Sequence, residues 1–251
     1  MEQPQGDQQV AIVTGGGSGI GAAIAETFVR SGIRTVIVGR DAKKLQAMHD
    51  QLGDLCYPLR GDLDDLGAIP ALVGNVLSRF GRIDILVNNA GINMKKDFTE
   101  VTDEEFQRIL LTNVTAVFVL SREVAKAMIA AGGGSIINIS SMASQYGIPK
   151  VIAYTASKSA IEGMTRSMAV DLSPKGIRVN CIAPGFIATD MSAKALNNDV
   201  PRKQRVLSRT PMGHLGTPSD IGDAALFLSS TAAKYITGVI LPVDGGNSIG
   251  F

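Results

Sequence analysis

Short runs rich in valine and isoleucine punctuate this chain and alternate with longer segments of helical spacing. The runs fall at Val10–Val13, Thr35–Val38, Ile83–Val87, Ser135–Ile139, Ile177–Ile182 and Val239–Val243, with a weaker one at Leu55–Leu59. Helical periodicity marks Ile20–Arg30, Lys43–Leu52 and Tyr154–Leu172 between them. Strands that are apolar on both faces need cover on both faces, and right-handed crossovers supply it with helices. The rhythm therefore predicts an α/β chain, a Rossmann-like doubly wound three-layer sandwich with a seven-stranded parallel sheet. No repeat and no shift in composition divides it, so a single domain over residues 1–251 is expected. One segment breaks the rhythm. From Phe186 to Ser219 the chain is polar, carries Pro201, Pro211 and Pro218, and shows no strand. An insertion after a strand's C-terminal end lies where open α/β sheets bind ligands, so residues 186–219 are expected to form a substrate lid.

Charge and composition exclude several function classes. The formal net charge is +1, with no basic block or aromatic–basic interleaving to suit a nucleic acid. Met1–Gln9 is polar, unlike a signal peptide, and the longest apolar stretch, Ile109–Leu120, is interrupted and too short for a bilayer. Cys56 and Cys181 lie in apolar, strand-like surroundings and cannot build a disulfide framework or a zinc site. His49 and His214 stand apart from any metal-like cluster and are expected on loops or the surface, so no metal is expected. These features point to a cytoplasmic protein that acts on small molecules, without nucleic-acid or membrane partners.

The first strand runs into Gly15-Gly-Gly-Ser18-Gly19-Ile20-Gly21, and a helix follows. Residues without Cβ let the backbone approach a pyrophosphate, and the helix N-terminus offers N–H groups and partial positive charge. Enzymes that use S-adenosylmethionine share such a turn, so it identifies a ligand class but no reaction. The end of the second strand is more selective. An acid there would accept bonds from a ribose 2′-hydroxyl, but the chain reads Gly39-Arg40-Asp41. Arg40 suits a 2′-phosphate, so NADP(H) is expected over NAD(H). Asp41 reads as the N-cap of the next helix.

Tyr154 and Lys158 sit four residues apart near the start of an apolar-periodic helix, one turn from each other on the same face. A free phenol, with a pKa near 10, is too weak an acid to serve as a base at neutral pH. A neighbouring ammonium and a cationic nicotinamide ring are expected to bring it down. Ser141 follows the fifth apolar run, where its hydroxyl can hold a substrate oxygen against the phenol. Asn113 interrupts the apolar stretch Ile109–Leu120, either as a satisfied core amide or as part of a polar relay near Lys158. Asn88-Asn89-Ala90-Gly91 closes the fourth run with small residues that admit the adenosine side of a dinucleotide.

Together, Thr14–Gly21, Asn88–Gly91, Asn113, Ser141, Tyr154-x-x-x-Lys158 and Pro184-Gly185 resemble the short-chain dehydrogenase/reductase family in order and spacing, over essentially the whole chain. The branch resembled includes gluconate 5-dehydrogenases, glucose dehydrogenases and 3-oxoacyl-carrier-protein reductases. The resemblance implies an oxidoreductase that interconverts a secondary alcohol and a ketone by hydride transfer. It makes Tyr154 the acid/base and Lys158 the group that orients the nicotinamide ribose and lowers the phenol's pKa. It makes Ser141 the carbonyl polariser and Asn113 the support of a proton relay. It also implies adenine contacts at Asp62 and Leu63, carboxamide contacts at Ile187 and Thr189 after Pro184-Gly185, and a homotetramer in which Tyr235–Phe251 takes part. Substrate identity is open. Lys194, Arg202, Lys203, Arg205 and Arg209 in the lid suit a sugar acid, or form the solvated face of an amphipathic helix. The Ala130–Gly134 turn carries no base to dock an acidic carrier, which weakens a 3-oxoacyl-carrier-protein reductase reading, though Lys175 remains. A non-catalytic dinucleotide sensor would have no use for Ser141, Tyr154 and Lys158 together. Gly246-x-Ser248-x-Gly250 mimics a hydrolase nucleophile elbow, but no helix or histidine follows it.

Overall fold

Successive residues of a strand point to opposite faces of its sheet, and β1 (Val10–Thr14) buries both. Val10 and Ile12 enter one apolar cluster, with Ile69, Val73 and Val76 of α3 (Ile69–Phe80) and Val119, Leu120, Val124 and Met128 of α5 (Ala116–Ala130). Ala11 and Val13 enter the opposite cluster, with Ile24 and Phe28 of α1 (Gly19–Arg30) and Ile221, Ala225 and Leu228 of α8 (Pro218–Ser229). A strand buried on both sides cannot alternate polar with apolar, which is why the runs read as continuous hydrophobic stretches. The computed structural model of the chain describes residues 8–189 and 200–250.

The remaining strands are β2 (Arg34–Gly39), β3 (Cys56–Arg60), β4 (Ile85–Asn88), β5 (Gly134–Ile139), β6 (Ile177–Pro184) and β7 (Ile240–Val243). They form one parallel seven-stranded sheet in the order β3-β2-β1-β4-β5-β6-β7, as the rhythm predicts. The chain steps outward from β1 to β3, then returns to the other side of β1 to place β4. That reversal opens a crevice at the C-terminal ends of β1 and β4, the place where this architecture binds ligands.

Helices α2 (Ala42–Leu52), α4 (Asp103–Leu110), α6 (Ile152–Leu172) and α7 (Val200–Arg209) complete the described elements. Two boundaries and one histidine differ from the sequence expectations. The stretch Ile109–Leu120 is not one α-helix: a π-helical turn, Leu111–Thr115, joins α4 to α5 and carries Asn113. The segment expected as the lid ends earlier, since Pro218 already begins α8 behind a capping box between Thr217 and Asp220. His49 belongs to the last turn of α2, half-buried, with Nδ1 2.7 Å from the Cys56 carbonyl, whereas His214 is exposed outside the named elements. Both cysteines are buried in strands and unpaired.

Candidate active site

The hydroxyl of Thr14, the last residue of β1, donates to the Val87 carbonyl at 3.3 Å and accepts from the Asn89 and Ala90 N–H groups, each at 3.0 Å. Asn89 Nδ2 donates back to the Thr14 carbonyl at 2.9 Å. These bonds seat the turn after β1 against the residues that follow β4. Gly15 takes φ +67°, and a Cβ on Gly21 would lie 2.3 Å from the Gly15 carbonyl oxygen and 2.5 Å from Asn89 Nδ2. Backbone meets backbone here, so only glycine fits. Ser18 N-caps α1, yet its side chain makes no capping bond, which leaves the first-turn N–H groups to an incoming anion. Around Gly19, φ +56°, only Thr189 among the described residues comes within 4.0 Å of where a Cβ would stand. This uncapped, side-chain-free helix start, with Ile20 next in line, fits a dinucleotide pyrophosphate.

At the ends of β2 and β3, Arg40 faces Asp62 Oδ2 at 4.0 Å and Asp64 Oδ2 at 3.9 Å, and its side chain stays largely exposed. Two loose carboxylate contacts offset part of the guanidinium charge without occupying its fork. Asp41 caps α2 as expected, accepting from the Lys43 and Lys44 N–H groups. Asp62 also accepts from the Asp64 N–H, and Leu63 packs onto the core beneath.

On the other side of the crevice, Ser141 leaves β5 and Tyr154 stands in the first turn of α6. Their hydroxyls face each other, and the Ser141 hydroxyl favours the phenolate. One turn further along, Lys158 is buried, its Nζ 2.7 Å from the Ile139 carbonyl and 5.5 Å from the centroid of the Tyr154 ring. Asn113 is fully satisfied: Oδ1 accepts from the Ile92 N–H at 2.8 Å, and Nδ2 donates to the Ile92 carbonyl at 2.9 Å and to Ser157 Oγ at 3.0 Å. Ser157 in turn donates to the Tyr154 carbonyl at 2.7 Å. A Cβ on Gly91 would stand 3.2 Å from Asn113 Oδ1 and 3.7 Å from Lys158 Nζ, so the end of β4, the π turn and α6 converge on one spot. The structure shows Asn113 as a satisfied core amide, at a position beside the Lys158 amine.

One expectation needs correction. The protein's own groups do not lower the Tyr154 pKa. Burial pushes the phenol above its ordinary value, and the Ser141 hydrogen bond offsets only part of that. Lys158 is itself depressed by burial, to about 8, so its charge is costly where it sits. What acidifies the phenol further has to arrive with the ligands.

Pro184 ends β6, and Gly185 passes so close to Asp244 that a Cβ would lie 2.6 Å from its Cα. Ile187 is buried and bridges to Gly216, which places Thr189 opposite Gly19. In the lid segment, α7 buries Val206 and exposes Lys203 and Arg205, the pattern of an amphipathic helix with its bases in solvent. Arg209 lies over the Tyr146 ring, 4.3 Å from its centroid. Lys194 and the Arg202 side chain lie outside the described residues. Sequence reasoning named Thr14 within the glycine motif without giving it a role, and missed Ser157; their hydroxyls tie segments that are distant in the chain. It also missed Ser140, Ser144 and Glu162, grouped around Ser141. The one available signal was the position of Glu162, four residues beyond Lys158 on the same helix.

A doubly wound sheet whose switch-point crevice joins an uncapped phosphate turn to a facing Ser–Tyr pair and a buried lysine defines a dinucleotide-dependent oxidoreductase. A family model described as "Enoyl-(Acyl carrier protein) reductase" matches residues 15–248, and the chain belongs to the short-chain dehydrogenase/reductase family. It is 44% identical to a 3alpha-hydroxysteroid dehydrogenase of Mediterraneibacter gnavus, over 94% of this chain and 96% of that one. It is 40% identical to the 2-dehydro-3-deoxy-D-gluconate 5-dehydrogenase of Escherichia coli, over 95% and 94%. The solved structure of a 7α-hydroxysteroid dehydrogenase complexed with NADH and 7-oxo glycochenodeoxycholic acid superposes with a TM-score of 0.91 at 39% identity, covering 98% of both chains. The chain is thus an NAD(P)(H)-binding enzyme of the dehydrogenase/reductase class that acts on CH–OH groups.

Proposed function

We propose that this enzyme passes hydride between NADP(H) and a secondary alcohol or its ketone, with Tyr154 as acid/base and a sugar acid or polyol as substrate. The observation that carries the reading is the meeting of Ser141 and Tyr154 beside the buried Lys158 amine, which is held at the Ile139 carbonyl. The nicotinamide supplies the two-electron donor or acceptor and, when oxidised, a positive charge near the phenol. Ser141 holds the substrate oxygen, Tyr154 gives or takes its proton, and Lys158 binds the ribose. Asn113 keeps the π turn against Ile92 and α6, so the lysine can exchange protons through a relay. Gly15, Ser18, Gly19, Ile20 and Gly21 receive the pyrophosphate, and Arg40 the 2′-phosphate. Asp62 and Leu63 flank the adenine, Asn89, Ala90 and Gly91 its ribose, and Pro184, Gly185, Ile187 and Thr189 the carboxamide.

Residues 186–217 act as the substrate lid, and the 40% identity to a gluconate-type 5-dehydrogenase supports a sugar acid. A hydroxysteroid is the second reading, favoured by the 44% identical relative and by exposed Met212 and Ile249 at the base of the lid. Exposed Val170, Phe227 and Tyr235 support a homotetramer, and two buried, unpaired cysteines suit the reducing cytoplasm.

The test is loss of reduced-nicotinamide absorbance with NADPH and NADH over a panel of keto sugar acids, ketoses, 3-oxosteroids, β-ketoacyl thioesters and simple ketones. A sugar acid preferred with NADPH is expected, and Tyr154→Phe is expected to lower kcat by about a thousandfold or more while NADPH still binds. Near-normal turnover in that variant refutes the acid/base role.

A further inference from the structure

We propose that Glu162 is a positioning residue for the reaction, a carboxylate that holds the Ser141-bearing loop in register with Tyr154. The inference rests on the reading above, in which Ser141 and Tyr154 share the substrate oxygen. Tyr154, Lys158 and Glu162 lie four residues apart along α6, so all three face the end of β5. Each reaches a different part of the chain leaving that strand. Tyr154 meets the Ser141 hydroxyl, Lys158 meets the Ile139 carbonyl, and Glu162 Oε1 accepts from Ser140 Oγ at 2.9 Å and from Ser144 Oγ.

The two serines bracket Ser141. Ser140 is 2% exposed, and its Oγ also lies 3.3 Å from the Lys158 carbonyl and from Ser144 Oγ. Ser144 Oγ lies 2.5 Å from the Ser141 carbonyl oxygen. A hydroxyl has one proton to give, and a carboxylate is the strongest acceptor within reach of either serine. Among the described residues no lysine or arginine forms an ion pair with Glu162, so this carboxylate serves hydroxyls and no cation.

A loop of polar residues beside a crevice has other ways to satisfy its hydroxyls, water among them. Fixing both flanks of Ser141 to the helix that bears Tyr154 makes the distance between the two reacting hydroxyls a property of one rigid element. Without Glu162 the loop keeps the Ala143 N–H bond to Ser141 Oγ and the Ser140 contact with the Lys158 carbonyl, but Ser144 loses its tie to α6.

The test measures kcat, KM, dinucleotide affinity and Tm for Glu162→Ala, Glu162→Gln, Ser141→Ala and the Glu162→Ala/Ser141→Ala double variant. Glu162→Ala is expected to lower kcat about tenfold, with dinucleotide affinity unchanged. Glu162→Gln keeps an acceptor oxygen and is expected to stay within about threefold of the parent. On the Ser141→Ala background, removing Glu162 is expected to cost less than about twofold further, because it acts through Ser141. A merely structural role lowers Tm and multiplies with Ser141→Ala, and that outcome overturns the proposal, as does an unchanged kcat in Glu162→Ala. Near-normal kcat in Ser141→Ala instead overturns the role of Ser141 itself, and this inference with it. If Glu162→Ala does not fold, Ser144→Ala decides. A loss of about threefold that vanishes on the Ser141→Ala background supports the proposal, and no loss, or a multiplicative one, sinks it.

Discussion

At Tyr154, burial and hydrogen bonding act in opposite directions on one proton. Burial holds the phenol neutral, and the Ser141 bond favours the anion, so the residue is set as an acid until a positive charge reaches it. That bias fits ketone reduction, and alcohol oxidation is expected to accelerate as pH rises through the alkaline range. Arg40 presents a similar contest. Its guanidinium faces two carboxylates at about 4 Å, too loosely to be consumed by them. Arg40→Asp is expected to weaken NADPH binding tenfold to a hundredfold, by roughly 1.5–3 kcal/mol, and to leave NADH binding nearly unchanged. Fluorescence titration of both cofactors measures it; an unchanged NADPH/NADH ratio shows that Arg40 does not touch the 2′-phosphate. The type and place of both residues are visible in the sequence. Their partners are not, because Asp62, Asp64 and Ser141 come near only after the chain folds.

Elements built on local periodicity stand close to where periodicity puts them, and they fail where a distant partner intervenes. Val10–Thr14 and the glycine turn behind it follow from strand pattern and from the need for bare backbone. The helix across Ile109–Leu120 does not, because the Asn113 side chain bonds Ile92, 21 residues away, and the backbone widens into a π turn there. Two helical glycines separate these causes. Gly74 in α3 has none of the described residues within 4 Å of a Cβ, whereas Gly21 in α1 would drive one into the Gly15 carbonyl. Gly74→Ala is expected to stabilise the fold by about 0.5–1 kcal/mol. Gly21→Ala is expected to destabilise it by about 1–3 kcal/mol and to abolish dinucleotide binding. Denaturant titration and cofactor binding check both, and equal effects of the two substitutions would disprove the close-approach argument.

Across the whole molecule, the buried site leaves a signature in stability against pH. Lys158 titrates at about 8 when folded and near 10.5 when free. Between those values the unfolded chain binds the proton and the folded one does not, so this group makes stability rise with pH. Cys181 and Cys56 are pushed from 9.0 up to about 12 and about 11, so above pH 9 the folded state keeps protons that the unfolded state releases, and stability falls. Wild-type stability is expected to climb slightly between about pH 8 and 9 and then decline. Lys158→Met removes the climb and is expected to be more stable than wild type at pH 7 by roughly 2 kcal/mol, a margin that shrinks toward pH 10. Denaturant melts across that range test it. A margin that stays constant from pH 7 to 10 contradicts a depressed lysine.

The sequence by itself determined which segments are strands, that the sheet is parallel and covered on both faces, and that the turn after the first strand is bare glycine backbone. Those properties depend on residues a few positions apart and on backbone that cannot tolerate a Cβ. Only the tertiary structure decided that Glu162 grips the loop around Ser141, that Arg40 looks onto two acids, and that burial raises the phenol and lowers the amine beside it. Proton affinity and hydrogen bonding depend on what surrounds a group in space, and no spacing along the chain records that.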